Sequence, residues 1–122
     1  MWSYSQATGT FKSPGGTSVG IGYSGHAQGL NNPALQQVHM VGPIPQGDWE
    51  IGQFFDDVGG KGPVVAHLTP LPGTETFGRD GFMIHGDNSQ VNHSASEGCI
   101  ILPHVVREMV MSSRDRLLTV TA

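Results

Sequence analysis

A mainly β fold of short strands, in a sandwich or barrel with one short helix near the C-terminus, is what this sequence predicts. Eighteen glycines and eight prolines divide the 122 residues into short pieces. Between them the apolar residues fall in brief runs and alternations suited to strands. Helical spacing occurs only once, at Val105, Val106, Met109 and Val110. A chain this short forms a single domain, residues 1–122.

The elements follow in order. Trp2, Tyr4 and Gln6 alternate ahead of Ala7-Thr8-Gly9, and Thr10-Phe11-Lys12-Ser13 follows, which predicts a hairpin. Pro14-Gly15-Gly16 makes a second turn before a strand from Ser18 to Tyr23. From Ser24 to Gln37 the chain is rich in Gly, Asn, His and Gln, predicting a long functional surface loop with one helical turn after Pro33. Val41 to Gly47 is a stiff turn, and Asp48 to Phe55 reads as a central strand. A turn at Asp56–Pro63 leads to a strand over Val64–Leu71 that ends at prolines. After a loop containing Gly78-Arg79-Asp80, Phe82-Met83-Ile84-His85 predicts a short strand covered on both faces. Gly86 to Glu97 is a polar loop, and Gly98 to Leu102 returns to the core. Pro103 suits the first turn of the helix, and Leu117 to Thr121 closes the chain as a strand.

Composition excludes several function classes. Net charge is −4 with six Lys and Arg, which leaves no electrostatic footprint for nucleic acid or an anionic membrane. No apolar run approaches the ~20 residues of a membrane span. The start, MWSYSQATGTF, lacks the basic and apolar regions of a signal peptide, so export is expected by a route without one. One cysteine permits no intrachain disulfide and fits no all-cysteine metal site.

The chemistry concentrates in FMIHGDNSQVNHSASEGCIILP, residues 82–103. Cys99 follows a glycine, and His85 lies fourteen positions upstream behind an apolar run. A free cysteine is often only a small buried hydrophobe. Here Gly98 permits close backbone approach, so a substrate carbonyl reaches the sulfur. The amides of Gly98 and Cys99 are then candidates for an oxyanion hole. A thiol is mostly protonated at neutral pH until a base acts on it, and His85 is the candidate base. Such a base needs a third group to fix its tautomer. Ser96, through its hydroxyl or carbonyl, and Asp87 are both candidates. His85, Asp87 and His93 match no metal-ligand spacing, so no metal and no other cofactor is expected. Arg79 either caps a turn or grips a substrate carboxylate two-pronged. Tyr23-Ser24-Gly25 is a strand end or a substrate wall, Trp49 is core, and Glu97 is solvated.

IHGDN followed by SEGCI resembles the catalytic motif of the L,D-transpeptidase family, and GPIPQGDWEIG resembles its turn beneath the active site. With WSYSQATG, GYSG, NNP, GRDGFMIHGD and SEGCIILP in order, the whole chain is similar to the smaller branch, toxins of type VI secretion. The resemblance implies an L,D-transpeptidase-like fold with Cys99 as nucleophile and His85 as base. It assigns the Ser96 carbonyl to orienting the imidazole, and the Gly98 and Cys99 amides to the oxyanion hole. Tyr23, Arg79, Gly86 and Asp87 are then substrate-binding candidates. Many members carry Arg or Asn two positions after the cysteine, where this chain has Ile101, so Arg79 is the candidate anchor.

The implied substrate is the peptidoglycan stem tetrapeptide, cut between meso-diaminopimelate and D-alanine in a target cell's periplasm. An immunity protein and secretion machinery are implied partners; nucleic acid and membrane are not. Three other readings stay open: a phage-type lysis enzyme, a cysteine endopeptidase on another peptidoglycan bond, and a non-catalytic wall-binding module.

Overall fold

The structure is a computed structural model and describes residues 1–87 and 96–122. It is mainly β, as expected. Strands β1 (Trp2–Ser5) and β2 (Thr10–Lys12) form the first hairpin, followed by β3 (Ser18–Ile21) and β4 (Tyr23–Ser24). Next come β5 (Gly47–Ile51), β6 (Phe55–Asp57) and β7 (Gly62–Pro70). Strand β8 (Met83–His85), strand β9 (Ile100–Ile101), helix α1 (His104–Met111) and strand β10 (Leu117–Thr121) complete the chain.

The strands are ordered β3-β2-β1-β10-β5-β7-β8-β9-β4, with β6 paired to β7. The two ends of this path, β3 and β4, are joined in sequence through Gly22 alone, so the chain itself curls the sheet into a nearly closed barrel. Gly22 donates its amide to the Gly9 carbonyl at 2.8 Å. A side chain does not fit there: a Cβ on Gly22 would lie 1.9 Å from the Ile101 carbonyl oxygen. The long strand β7 turns the corner, pairing through Leu68–Pro70 with β5 and through Ala66–His67 with β8.

Inside the barrel, Trp49 is fully buried and meets the edge of Phe82 with ring centroids 5.0 Å apart. Ile84, Ile100, Leu102, Val106, Val110 and Leu118 share this core. Helix α1 seats Val106 against the backbone of β3, where a Cβ on Gly20 would fall 2.6 Å from Val106 Cγ2.

Three expectations need correction. The central strand stops at Ile51 rather than Phe55, because Gly52 donates to the His67 carbonyl at 2.8 Å and Phe55–Asp57 folds back as β6. Loop 24–37 holds two 3-10 turns, at Ala27–Gly29 and Pro33–Leu35, instead of one. The buried stripe of α1 is Val106, Arg107 and Val110; Val105 and Met109 face solvent, since the helix rests on one flank only. No helix among the described residues is long and apolar enough to cross a membrane.

The closure at Gly22 gives a direct test. Gly22→Ala is expected to lower unfolding free energy by roughly 1–3 kcal/mol in urea melts, the usual cost of forcing atoms into a packed site. Gly15→Ala, whose Cβ meets only Ser13 Oγ at 4.0 Å, is expected to change it by less than about 0.5 kcal/mol.

Candidate active site

Strand alternation builds the site. Strands β8 and β9 run parallel, with Ile84 opposite Ile100 and His85 opposite Ile101. Ile84 and Ile100 enter the core, so Met83, His85 and Ile101 occupy the other face. Strand β4 continues that face by setting Tyr23 opposite Ile101. Cys99 precedes β9 by one residue and falls in line with Met83. The thiol and imidazole therefore sit on one face of adjacent strands as diagonal neighbours, with Cβ atoms roughly 7 Å apart by strand geometry.

His85 is 2% exposed. Its Nδ1 lies 2.8 Å from the Gly86 carbonyl oxygen. A carbonyl only accepts, so Nδ1 carries the proton and Nε2 holds the free lone pair. Nε2 is buried and has no hydrogen-bond partner among the described residues. The tautomer is thus set by Gly86, which corrects the expectation that Ser96 or Asp87 does so. Gly86 is the adjacent residue, and its carbonyl reaches the ring without any loop having to return. Burial is the main reason the His85 pKa lies below the ordinary value, and Lys61 and Arg107 push the same way. The Gly86 hydrogen bond and Asp87 oppose them.

Ser96 acts through its hydroxyl. Fully buried, it donates to the Cys99 carbonyl at 2.6 Å and accepts from the amides of Gly25 at 2.9 Å and Gly98 at 3.1 Å. The Gly98 amide, a candidate oxyanion donor, is therefore engaged by Ser96 in this state. Ser24 braces the same turn, donating to the Gly98 carbonyl at 3.1 Å and accepting from Ile44 at 2.8 Å. Gly98 has φ +134°, and a Cβ there would lie 2.6 Å from Arg79 Nη2 and 3.0 Å from Phe82 Cε1. The residue before Cys99 must be glycine.

The Cys99 thiol is partly exposed and lies 3.8 Å from the Gly81 carbonyl, not on His85. Burial pushes its pKa up. A hydrogen bond from the Met83 backbone and the charges of Lys61 and Arg79 pull it down, while Glu97 adds to the rise. Both shifts favour the neutral forms, thiol and imidazole.

Arg79 lies deep in the fold, 6% exposed. Its guanidinium donates to the carbonyls of Pro43 at 2.8 Å, Gly42 at 2.9 Å and Glu97 at 3.3 Å, and to that of Gln36. It also covers the Phe82 ring at 5.2 Å. The two-pronged grip expected for a carboxylate is turned on the backbone instead, tying loop 36–43 to the residue before Gly98. Tyr23 donates to Asp87 Oδ1 at 2.7 Å, so these two substrate-binding candidates come together beside His85. Gly86 backs onto Arg107, whose Nη2 would lie 2.7 Å from a Cβ there.

Two clefts lie on this side of the domain. One, of about 190 Å³, opens on Cys99 and is walled by Lys61, Arg79, Asp80, Phe82, Glu97 and Gly98. The other, of about 490 Å³, is lined by Tyr23, Asp87, Ile101, Leu102 and Arg107. Lys61, Arg107 and Ser24 were not singled out by sequence reasoning. Lys61 sits in a turn that reads as mere connection, and Arg107 reads as the polar side of a helix. Only the order Tyr23-Ser24-Gly25 hinted at a wall. Among the described residues no group of three or more His, Cys, Asp or Glu side chains is placed to hold a metal ion, and His93 lies outside those residues.

Fold and site together define a small mainly β domain with a cysteine at a cleft and a buried histidine on the neighbouring strand. The family model of the Tlde1 domain matches residues 19–120, and the chain belongs to that family of type VI secretion effectors. Membership implies an enzyme that modifies peptidoglycan, secreted to act on target cells. No curated protein and no solved structure matches the chain.

Two outcomes follow from the buried groups. The unfolded chain takes up a proton at His85 near the ordinary pH 6.5, and the folded chain only below it. Stability from neutral His85 is thus complete above that value and is lost as pH falls towards the depressed folded pKa. Urea melts between pH 7 and 5 are expected to show this loss, and His85→Gln to flatten it. Ser96→Ala strands two buried amides and a carbonyl, and is expected to cost about 2–4 kcal/mol in the same melts.

Proposed function

We propose that this chain is a cysteine-dependent peptidoglycan L,D-carboxypeptidase and L,D-transpeptidase. It attacks stem tetrapeptides at the bond between meso-diaminopimelate and D-alanine. The observation that carries the reading is the shared face of Cys99 and His85. A thiol at an open cleft has, on the next strand, an imidazole whose tautomer is set and whose Nε2 is without a partner among the described residues. Membership of a type VI effector family supports the substrate class.

In this mechanism the thiol turns from the Gly81 carbonyl towards the substrate and passes its proton to His85 Nε2 as sulfur attacks the carbonyl carbon. The Cys99 amide, and the Gly98 amide on exchanging Ser96 for the oxyanion, stabilise the tetrahedral intermediate. Collapse breaks the C–N bond. D-alanine leaves with the proton returned by His85, and the acyl group stays as a thioester on Cys99. Water then releases a tripeptide, a free D-amino acid gives exchange, or the amine of a neighbouring stem gives a crosslink. A secreted toxin is served by trimming and exchange, which remove the tetrapeptides that crosslinking needs. Tyr23 with Asp87, and Gly86, contact substrate on the imidazole side. Action in the target periplasm, and neutralisation by an immunity protein in the producer, belong to the same proposal.

Mass spectrometry of peptidoglycan treated with the enzyme is expected to show tetrapeptides converted to tripeptides or D-amino acid exchanged forms. Split crosslinks with intact tetrapeptides would overturn the assignment. Cys99→Ala is expected to reduce turnover about a thousandfold or more, and His85→Ala roughly 10²–10⁴-fold. Because the base must be neutral, kcat/KM is expected to rise with an acid limb below pH 6.5, the side to which burial moves His85.

A further inference from the structure

We propose that Lys61 is the carboxylate anchor of the Cys99 cleft, its ammonium holding a substrate carboxylate beside the thiol. The inference rests on the peptidase reading above and deepens it. Lys61 and Arg79 are the two permanent cations lining this cleft. Arg79 is committed to four backbone carbonyls. The ion pairs among the described residues are Met1 with Asp115 and His104 with Glu108, so the Lys61 ammonium is paired with neither Asp80 nor Glu97 across the cleft.

The turn that carries Lys61 is built to aim it. Asp57 Oδ2 accepts from the Lys61 amide at 2.8 Å, and the Asp57 carbonyl accepts from Gly60 at 3.1 Å. A Cβ on Gly60 would lie 2.3 Å from Asp57 Oδ2, so that residue stays glycine. Asp56 Oδ1 accepts from the Val64 amide at 3.0 Å, fixing the second strand. Buried Arg107 then joins the hairpin to the strand that follows Cys99. Its Nη1 donates to the carbonyls of Pro63 at 2.6 Å and Val64 at 3.2 Å, and its Nε to Leu102 at 3.1 Å. The Lys61 charge is felt at both reacting groups, favouring thiolate at Cys99 and neutral imidazole at His85.

The substrate of the proposed reaction carries carboxylates on both sides of the scissile bond, on the terminal D-alanine and on the far centre of meso-diaminopimelate. Either matches a compact, exposed ammonium, and a mobile Lys suits a point charge better than a fork.

The test uses Lys61→Met and Lys61→Arg, which leave the backbone bond to Asp57 in place. First, Cys99 is alkylated with anionic iodoacetate and with neutral iodoacetamide at one pH and low salt. The ratio of the two rates is expected to fall about three- to tenfold in Lys61→Met and to be kept in Lys61→Arg. Second, KM for the tetrapeptide is expected to rise about tenfold in Lys61→Met with kcat changed little. Amidating one substrate carboxylate at a time identifies its partner, because the penalty of Lys61→Met vanishes for that analogue. An unchanged alkylation ratio together with an unchanged KM overturns the anchor. Wild type that leaves tetrapeptides intact while the ratio still depends on Lys61 overturns the peptidase reading and upholds an anion site at the thiol.

Discussion

Because β8 and β9 run parallel with Ile84 opposite Ile100, a period of two sends Met83, His85 and Ile101 to the face away from the barrel core. The placement of Cys99 and His85 depends on that pairing. It lets two apolar residues anchor the strands in the core while the His85 imidazole and the Cys99 thiol lie on the opposite face. A slip of one residue would turn His85 into the barrel core and take Ile84 or Ile100 out of it. The core therefore sets the site's geometry, and Trp49, Phe82, Arg79 and Gly98 form a continuous line of contact from the barrel interior to the cysteine.

A domain this rich in loops must find partners for irregular backbone, since a buried amide or carbonyl without one costs free energy. Four polar side chains meet that need around the site. Ser24 and Ser96 clasp the turn at Gly98. Arg79 gathers carbonyls from loop 36–43 and from Glu97. Arg107 ties the 57–64 hairpin to Leu102. Their burial makes them look like catalytic groups, yet each bond just named goes to backbone. They hold the segments that carry Cys99 and His85.

Burial also decides the resting protonation. It raises the thiol and lowers the imidazole, so both charged forms are disfavoured together. In the mechanism proposed above, the proton therefore leaves sulfur only as sulfur attacks the substrate carbonyl. The nearby cation on Lys61 opposes the effect of burial at sulfur and reinforces it at the imidazole.

Much of the barrel was legible from local chemistry. Gly9 and Gly16 mark real turns, alternation marks β1, and the apolar run before His85 marks a strand buried on both faces. Cys99 behind Gly98, with His85 upstream, was enough to nominate the site. What could not be read was which carbonyl meets the imidazole, where the Arg79 fork points, and that Lys61 comes to the thiol from 38 positions away. The parallel pairing of β1 with β10 and the closure through Gly22 were equally hidden. Composition, spacing and turn residues act over a few neighbours, so the chain alone determines its elements and its reactive groups. Register, closure and the partners of buried polar atoms are settled only when distant segments compete for the same space and the same hydrogen bonds.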